Sequence, residues 1–327
     1  MAKAQQKGQN LVAGFQKRIG GMSRKAKRNW FVFLVIAPLI VWMLIYMIIP
    51  LLSVVFYSFT NAHMAYSDMK FVGLYQYEKM FSDATFITAM KNTIVAALII
   101  VPGTLILSTL TAAGLNALSN RWRQLYTFIY FVPSILSMTA ICLVWRWLYH
   151  ANYGLFNVFL NFFGIESQGF LQNSKQALFC LCVIQIWAVF GYYAVILLAN
   201  MRGIDPSLYE SADIAGANSI QKFFYITVPM LKNTFLFVMI MATTTAFMFF
   251  TPVKILTDGT PGTSTMVLLL YVMKKGISQS NIGYASAISL VLLLIILFFS
   301  LVQWLLTRER KKASKLENSN VKRGKKQ

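Results

Sequence analysis

Six long apolar runs that contain neither aspartate nor glutamate constrain the fold of this chain more than any other feature. A helix needs about 20 mainly apolar residues to cross a bilayer, and each run has that length. Charged residues make up only 12% of the 327 residues, whereas soluble domains carry about 25%. The chain is therefore predicted to be an all-α, polytopic membrane protein with six transmembrane helices, over residues 30–59, 89–115, 125–149, 177–200, 234–253 and 282–306.

Positive charge is distributed unevenly among the segments between these runs. Since Lys and Arg collect in cytoplasmic segments, their positions predict the orientation of the chain. Of the 30 Lys and Arg residues, 22 lie in residues 1–29, at Arg121 and Arg123, in the loop 201–233 and in residues 307–327. We therefore expect a transmembrane domain over residues 30–306, with its loop 201–233 in the cytoplasm, between basic cytoplasmic tails 1–29 and 307–327.

The net charge of +20 would, in a soluble chain, indicate nucleic-acid binding. Basic clusters beside membrane spans more often bind anionic lipid headgroups. We therefore expect the lipid bilayer, and no nucleic acid, as the partner of the two tails.

Residue types that carry chemistry are scarce in the spans. Cys142, Cys180 and Cys182 lie within apolar runs, and the two histidines stand apart, so we expect neither a metal site nor a cofactor. No nucleophile–base pair or paired carboxylates lie in the runs, which argues against an intramembrane enzyme. The sequence also has no Gly-x4-Gly-Lys-Ser/Thr loop, so we do not expect the chain to hydrolyse ATP itself.

The loop 201–233 has the composition of two short helices joined by a turn. Pro206 indicates a helix start, and Gly216 indicates a change of direction because glycine tolerates left-handed backbone. Candidate N-caps are Asp205 or Ser207 for the first helix and Asn218 or Ser219 for the second. Pro229 suits the first turn of the next helix, so the fifth span is expected to begin near it.

The first of these helices presents two carboxylates beside two small residues. Glu210 and Asp213 are three residues apart and so share one side, with Ala212 and Ala215 adjacent. Such a surface suits a groove in a partner protein. A loop helix that lies at the membrane surface without a partner has the same composition, and the residues alone leave both interpretations open.

The spacing Glu-x-Ala-x3-Gly-x9-Ile-x-x-Pro, from Glu210 to Pro229, resembles the EAA motif of bacterial ABC importer permeases. Ser211 and Val228 depart conservatively from the usual alanine and leucine. Four further segments resemble carbohydrate-type permeases of the maltose or glycerol-phosphate class, so that the resemblance covers roughly residues 28–307. These segments are 71–77, 91–93, 256–261 and 283–287.

The resemblance implies an importer permease in the bacterial cytoplasmic membrane. Its expected partners are a cytoplasmic ABC ATPase dimer, a second permease subunit and an extracytoplasmic solute-binding protein. The second permease is expected to be a different chain, with a homodimer as the alternative. The loop would be the coupling contact with the ATPase. In it, Glu210 would make a salt bridge or cap a helix and Gly216 would form the turn, while the remaining coupling residues would be Ala212, Asp213, Ala215 and Pro229.

Polar side chains within the spans are candidates for a solute path, because hydrocarbon penalises them. Amides, hydroxyls and flat aromatic faces suit a sugar, and four residues qualify: Ser134, Gln185, Tyr192 and Thr245. Ser and Thr are also common at helix–helix contacts, and Tyr favours membrane interfaces, so packing roles stay open.

The segment 153–164, between the third and fourth runs, has an amphipathic pattern. Its position predicts either a helix lying along the outer membrane interface or a cap over an external mouth. Two alternatives to the functional interpretation stay open as well. One is an ABC permease for a non-sugar solute, such as an amino acid or peptide, and the other is a stand-alone secondary transporter, which would need ionisable residues in its spans.

Overall fold

A computed structural model of the protein describes residues 24–64 and 69–324, with side chains left out for residues 24–28, 31 and 307–324. Of the two predicted basic tails, residues 1–23 and 325–327 lie outside the described residues. In the described part every regular element is a helix, and one isolated antiparallel bridge pairs Thr60 with Phe71. The chain divides after Phe56 into two compact units, and the contacts described below lie in the second.

The helices follow one another along the chain with short connections. In order they are α1 (Arg24–Met43, continuing through a π-helical turn Leu44–Ile48 into Ile49–Ser58), α2 (Tyr75–Ser82), α3 (Ala84–Ala117), α4 (Asn120–Ile135), α5 (Met138–Leu148), α6 (Leu155–Phe162), α7 (Ala177–Met201), α8 (Pro206–Ile214), α9 (Ser219–Lys222), α10 (Lys232–Phe247), α11 (Thr251–Leu256), α12 (Leu268–Met273) and α13 (Ile282–Gly324). A π-helical turn Phe223–Thr227 and a helical turn Val228–Met230 follow α9, and a π-helical turn Lys274–Ser278 follows α12.

The predicted all-α membrane fold is confirmed. Five described helical stretches are long and apolar enough to cross a membrane: Val32–Ser58, Ala84–Ala117, Ala177–Met201, Lys232–Leu256 and Ile282–Leu306. The bent pair α4–α5 supplies the sixth candidate when it is counted as one span. Each of the six predicted runs therefore corresponds to one of these stretches.

The third predicted span, 125–149, was expected to be one continuous helix, and this was wrong. α4 and α5 meet at an angle of 98°. Leu136 and Ser137 between them are extended, with ψ of 147° and 131°. Pro133 lies in the last turn of α4 and cannot donate a backbone hydrogen bond there, which weakens the helix where it ends.

A tertiary contact holds α5 in its new direction. α5 packs against α11, and the guanidinium of Arg146 donates a hydrogen bond to the carbonyl oxygen of Ile255. The fifth predicted span, 234–253, is interrupted as well. A break at residues 248–250 separates α10 from the short helix α11. Pro252 lies in the first turn of α11, where its missing N–H costs nothing, so the chain starts a helix there instead of continuing one.

Helix α7 is the central packing element of the second unit. It contacts α3 on one side and α4 on another. A Cβ added at Gly191 of α7 would lie 1.8 Å from the carbonyl oxygen of Tyr130 in α4, and one at Gly103 of α3 would lie 2.6 Å from Cδ1 of Ile186. Small residues of this kind let membrane helices approach closely. Close approach matters in a membrane, because lipid is as apolar as leucine and no hydrophobic effect drives the helices together.

One carboxylate joins three helices at the end of the bundle where α3 begins. Asp83 caps α3, and its Oδ1 accepts hydrogen bonds from the backbone N–H groups of Thr85 and Phe86 at 2.9 and 3.2 Å. Its Oδ2 accepts hydrogen bonds from the phenols of Tyr271 and Tyr284. Partial burial raises the pKa of Asp83, but the four hydrogen bonds together lower it by more. The pKa of Asp83 therefore lies below its ordinary value. The charged carboxylate therefore stabilises the junction of α3, α12 and α13.

We expect Gly191→Ala to lower the thermal stability of the purified protein in detergent. The added methyl group meets a backbone oxygen that cannot rotate away, and such overpacking costs about 1–3 kcal/mol. Unfolding can be followed by the reaction of a thiol-specific dye with Cys142, Cys180 and Cys182, which are buried in the folded protein.

Gly114→Ala is the matched control, because a Cβ at Gly114 in α3 meets nothing within 4 Å. Alanine is the better helix former, so this variant should unfold at the same temperature or a higher one. Equal destabilisation by both substitutions would contradict the close approach of α4 and α7.

Candidate functional site

The loop 201–233 folds as the predicted helix–turn–helix, and each helix has its own cap. Oδ1 of Asp205 accepts a hydrogen bond from the backbone N–H of Ser207 at 3.0 Å, which lowers the pKa of Asp205. In the second helix, Oδ1 of Asn218 accepts from the N–H of Gln221, and Oε1 of Gln221 accepts from the N–H of Asn218, both at 2.8 Å. This reciprocal capping box starts α9 without help from the rest of the protein.

Gly216 forms the turn between the two helices. Its φ of +78° lies in the left-handed region that favours glycine. The N–H of Ala217 donates to the carbonyl oxygen of Ala212 at 2.9 Å, and the N–H of Gly216 donates to that of Asp213 at 3.0 Å. These two bonds are the Schellman pattern that ends a helix, so the glycine is required by backbone conformation. A Cβ at this position would meet nothing within 4 Å.

Two side-chain contacts close the loop on itself. Nζ of Lys222 lies 2.6 Å from Oδ1 of Asp213, and the hydroxyls of Tyr209 and Thr227 are 2.8 Å apart. Asp213 is therefore already paired within the loop. Glu210 is exposed and makes neither an ion pair nor a hydrogen bond with the described residues. Of the two predicted carboxylates, Glu210 is the one left available to a partner.

Pro229 lies in the first turn of a helix, as predicted, but that helix is the short turn Val228–Met230. The fifth span, α10, begins three residues after Pro229, at Lys232. Leu231 breaks the helix between them, with φ of −87° and ψ of 5°, and its side chain is buried. Burial of Leu231 in the packing at the base of the loop accounts for the short break.

The base of the loop packs against the ends of three spans. Tyr209, Phe223 and Ile226 contact a buried cluster that joins two loop residues, Ile204 and Leu231, to residues of three helices. The helix residues are Ala112 and Leu115 of α3, Tyr193, Leu197, Leu198 and Met201 of α7, and Val238 and Ala242 of α10. Interiors are close-packed and transmit displacement. A movement of the loop is therefore transmitted to these three helices.

The opposite side of the loop exposes large apolar side chains. Ile214 is 90% exposed, and Ile220 is exposed as well. Ala215 is also exposed, while Ala212 is half-buried. Exposed apolar residues grouped on one polar loop mark an interaction surface.

The four predicted solute-path residues do not form one hydrogen-bonded site. Ser134 donates to the carbonyl oxygen of Phe131 at 2.6 Å and Thr245 to that of Met241 at 2.9 Å, so both hydroxyls have partners within their own helices. Gln185 is only 8% exposed and makes no hydrogen bond with the described residues. The hydroxyl of the exposed Tyr192 likewise makes no hydrogen bond with the described residues.

Two contacts among the polar residues were missed by the sequence analysis. The hydroxyl of Tyr193, next to the predicted and exposed Tyr192, lies 3.5 Å from Oγ1 of Thr245. Nε2 of Gln303 donates to Oγ1 of Thr243 at 2.7 Å, beside a cavity of about 140 Å³ between α3, α10 and α13. Two sequence features could have indicated these contacts: the adjacent tyrosines 192 and 193, and Gln303 as a lone glutamine within the last apolar run.

Comparisons with known proteins agree with this geometry. Residues 104–311 match the family model described as "Binding-protein-dependent transport system inner membrane component". The chain is 31% identical over 265 residues to the sulfoquinovosyl glycerol transport system permease protein SmoG of Agrobacterium fabrum, covering 79% of this chain and 84% of that protein. It is 30% identical over 282 residues to the arabinooligosaccharides transport system permease protein AraP of Halalkalibacterium halodurans, covering 86% and 88%.

A solved structure shares the fold. A chain of a bacterial alginate ABC transporter, crystallised with its alginate pentasaccharide-bound periplasmic protein, matches with a TM-score of 0.77 and 21% identity. The match covers 88% of this chain and 98% of that one.

We expect Gly216→Val to loosen the loop. A β-branched residue in left-handed backbone costs about 1–2 kcal/mol, which raises the open population of the loop roughly tenfold. The measurement is the rate of tryptic cleavage after Lys222. Gly216→Asn is the control, because asparagine tolerates this conformation, and it should be cleaved at nearly the wild-type rate. Equal cleavage of the two variants would mean that the turn does not depend on backbone conformation.

Proposed function

Because this chain belongs to the family of binding-protein-dependent transport system inner membrane components, we propose that it is the permease subunit of an ATP-driven carbohydrate importer. The loop 201–233 is the site at which a separate ATPase docks. The observation that carries this proposal is a preformed polar loop that exposes Glu210 and Ile214 while its base packs against three spans.

The charge distribution supports the required orientation. The four segments that hold 22 of the 30 Lys and Arg residues include the loop, and such segments face the cytoplasm. ATP-hydrolysing subunits of a bacterial importer act on that side. Both termini and the docking loop then share the face of the membrane at which the ATPase is bound.

The contacts within the loop support different roles for its two acidic residues, Asp213 and Glu210. The ion pair between Asp213 and Lys222 holds the two helices together at 2.6 Å. Glu210 is left to accept a charge-assisted hydrogen bond from a basic side chain or a helix N-terminus in the ATPase cleft. Ala215 and Ile214 provide the adjacent close-packing surface.

The mechanism is rigid-body coupling. Two ATPase subunits that close on ATP would draw together the loops of two permeases, this chain and a second, different subunit. The loop is held rigid by its own contacts and packs on α3, α7 and α10. Its displacement therefore tilts those helices and switches the access of the solute path from one side of the membrane to the other. An extracytoplasmic solute-binding protein would deliver the solute to the outer face.

A carbohydrate is the solute class best supported. The relatives SmoG and AraP are named for transport of sulfoquinovosyl glycerol and arabinooligosaccharides. In this chain the amide of Gln185, which has no hydrogen-bond partner among the described residues, lies on the same helix as Tyr192 and Tyr193, and Tyr193 contacts Thr245. An amide, hydroxyls and aromatic faces are the groups that bind sugar hydroxyls and the apolar faces of sugar rings.

Replacing Glu210 with lysine should abolish coupled uptake, with the chain still inserted in the membrane. The reversed charge would repel the basic group that Glu210 contacts, and losing a charge-assisted bond at an interface costs about 2–5 kcal/mol. The measurements are solute uptake and co-purification of the ATPase with the permease.

The control is Glu166→Lys, which makes the same change at an exposed residue between α6 and α7. This variant should retain both uptake and ATPase binding. Normal uptake by the Glu210→Lys transporter would refute the docking role.

Gln185→Leu should reduce solute-dependent transport about tenfold while basal ATP hydrolysis stays near the wild-type rate. Loss of one hydrogen bond to a bound solute costs about 1.5 kcal/mol, and the coupling loop is untouched. Asn200→Leu, at an exposed position of the same helix, should leave both activities near wild type. Equal losses of transport and basal hydrolysis in Gln185→Leu would assign Gln185 to packing.

A further inference from the structure

Helix α6 carries an exposed apolar face that the transport function does not use. Its residues Leu155, Val158, Phe159 and Phe162 are all exposed, Phe162 to 83%, and Phe163 continues the face. Residues 151–165 contain no charged side chain. Adjacent exposed apolar side chains of this number indicate an interaction surface.

The other side of α6 is fixed to the protein by one buried side chain. Asn157 is 1% exposed. Its Nδ2 donates to the carbonyl oxygens of Ala151 and Gln168 at 2.8 and 2.9 Å, and its Oδ1 accepts from the N–H of Gln168 at 2.8 Å. Phe156 packs beside it on Trp145 and Tyr149, with ring centroids 5.8 and 5.1 Å apart.

These contacts determine the depth of the helix. Ala151 is three residues beyond Leu148, the end of α5, and Tyr149 follows α5 directly. α7, the next span, begins at Ala177. When the bent pair α4–α5 is counted as one span, it ends at the side of the membrane where α7 begins, and this places α6 at the boundary between hydrocarbon and water.

The surface beside α6 has the character of that boundary. Trp147 on α5 is exposed, and Arg146 precedes it. Tryptophan is enriched where membrane spans meet the headgroup layer. One turn before it, the exposed residues Leu143 and Val144 extend the apolar surface along α5. The exposed face of α6 thus continues a lipid-facing surface.

We propose that α6 is an interfacial helix whose Leu155, Phe159, Phe162 and Phe163 insert into the outer leaflet of the bilayer. Most interfacial helices add lysine and arginine that attract anionic headgroups. Residues 151–165 contain neither, so insertion depends on apolar area alone and does not require anionic lipid. Through Phe156 and Asn157 the inserted helix also supports α5 beyond its 98° bend.

The test is a nitroxide spin label at residue 162, introduced as Phe162→Cys in the full chain, assembled with its transporter subunits in zwitterionic phosphatidylcholine nanodiscs. The three native cysteines are buried, and the unmodified protein measures their background labelling. Leu143→Cys, on the exposed face of α5, serves as the lipid reference. Lys175→Cys, at an exposed position before α7, serves as the water reference.

Collisions of the label with oxygen, which concentrates in hydrocarbon, and with a water-soluble nickel chelate report its surroundings. We expect the label at 162 to resemble that at 143, with frequent oxygen collisions and at least fivefold fewer nickel collisions than at 175. Nickel access equal to that at 175 would overturn the proposal. Protection from both reagents would also overturn it, since a protein would then cover the face. A lipid-like signal that appears only with anionic lipid would contradict insertion by apolar area.

Discussion

Close approach of helices α3, α4 and α7 is the interaction on which the rest of the second unit depends. In lipid, apolar side chains gain nothing by leaving the solvent for a neighbouring helix, so association relies on packing at short range. Gly191 and Gly103 allow that packing, one against a backbone oxygen of α4 and the other against Ile186. Three features depend on the resulting position of α7: the buried cluster at the base of the loop 201–233, the bend after α4, and the contact of Tyr193 with Thr245.

The loop 201–233 combines local stability with a tertiary attachment. Its caps, its Schellman turn and its ion pair lie within residues 205–227, so the helix–turn–helix forms from its own residues. Its base is different, because Tyr209, Phe223 and Ile226 pack on helices that are far apart in the chain. A rigid loop on a packed base suits the coupling role proposed for it, since a flexible loop would absorb a displacement instead of transmitting it.

Some elements could be predicted because their causes are local. The N-cap at Asp205, the turn at Gly216 and the cap at Asn218 follow from side chains within four residues of the bonds they make. The break after Ile135 could not, because Pro133 is tolerated inside membrane helices and the extended pair at 136–137 is held by packing of α5 on α11. Likewise Tyr193, and not Tyr192, meets Thr245, since the rotation of α7 is set by its neighbours.

The sequence by itself determined the number and length of the apolar runs, the charge pattern and the chemistry of the loop, because bilayer thickness and capping act on short stretches of chain. Only the tertiary structure decided which faces of the runs meet. It also paired Asp83 with Tyr271 and Tyr284. Within the loop, the structure showed which of the two carboxylates is paired: Asp213 binds Lys222, and Glu210 is exposed. The physical reason is that a run apolar on every side carries no pattern to distinguish the face that packs on protein from the face that meets lipid.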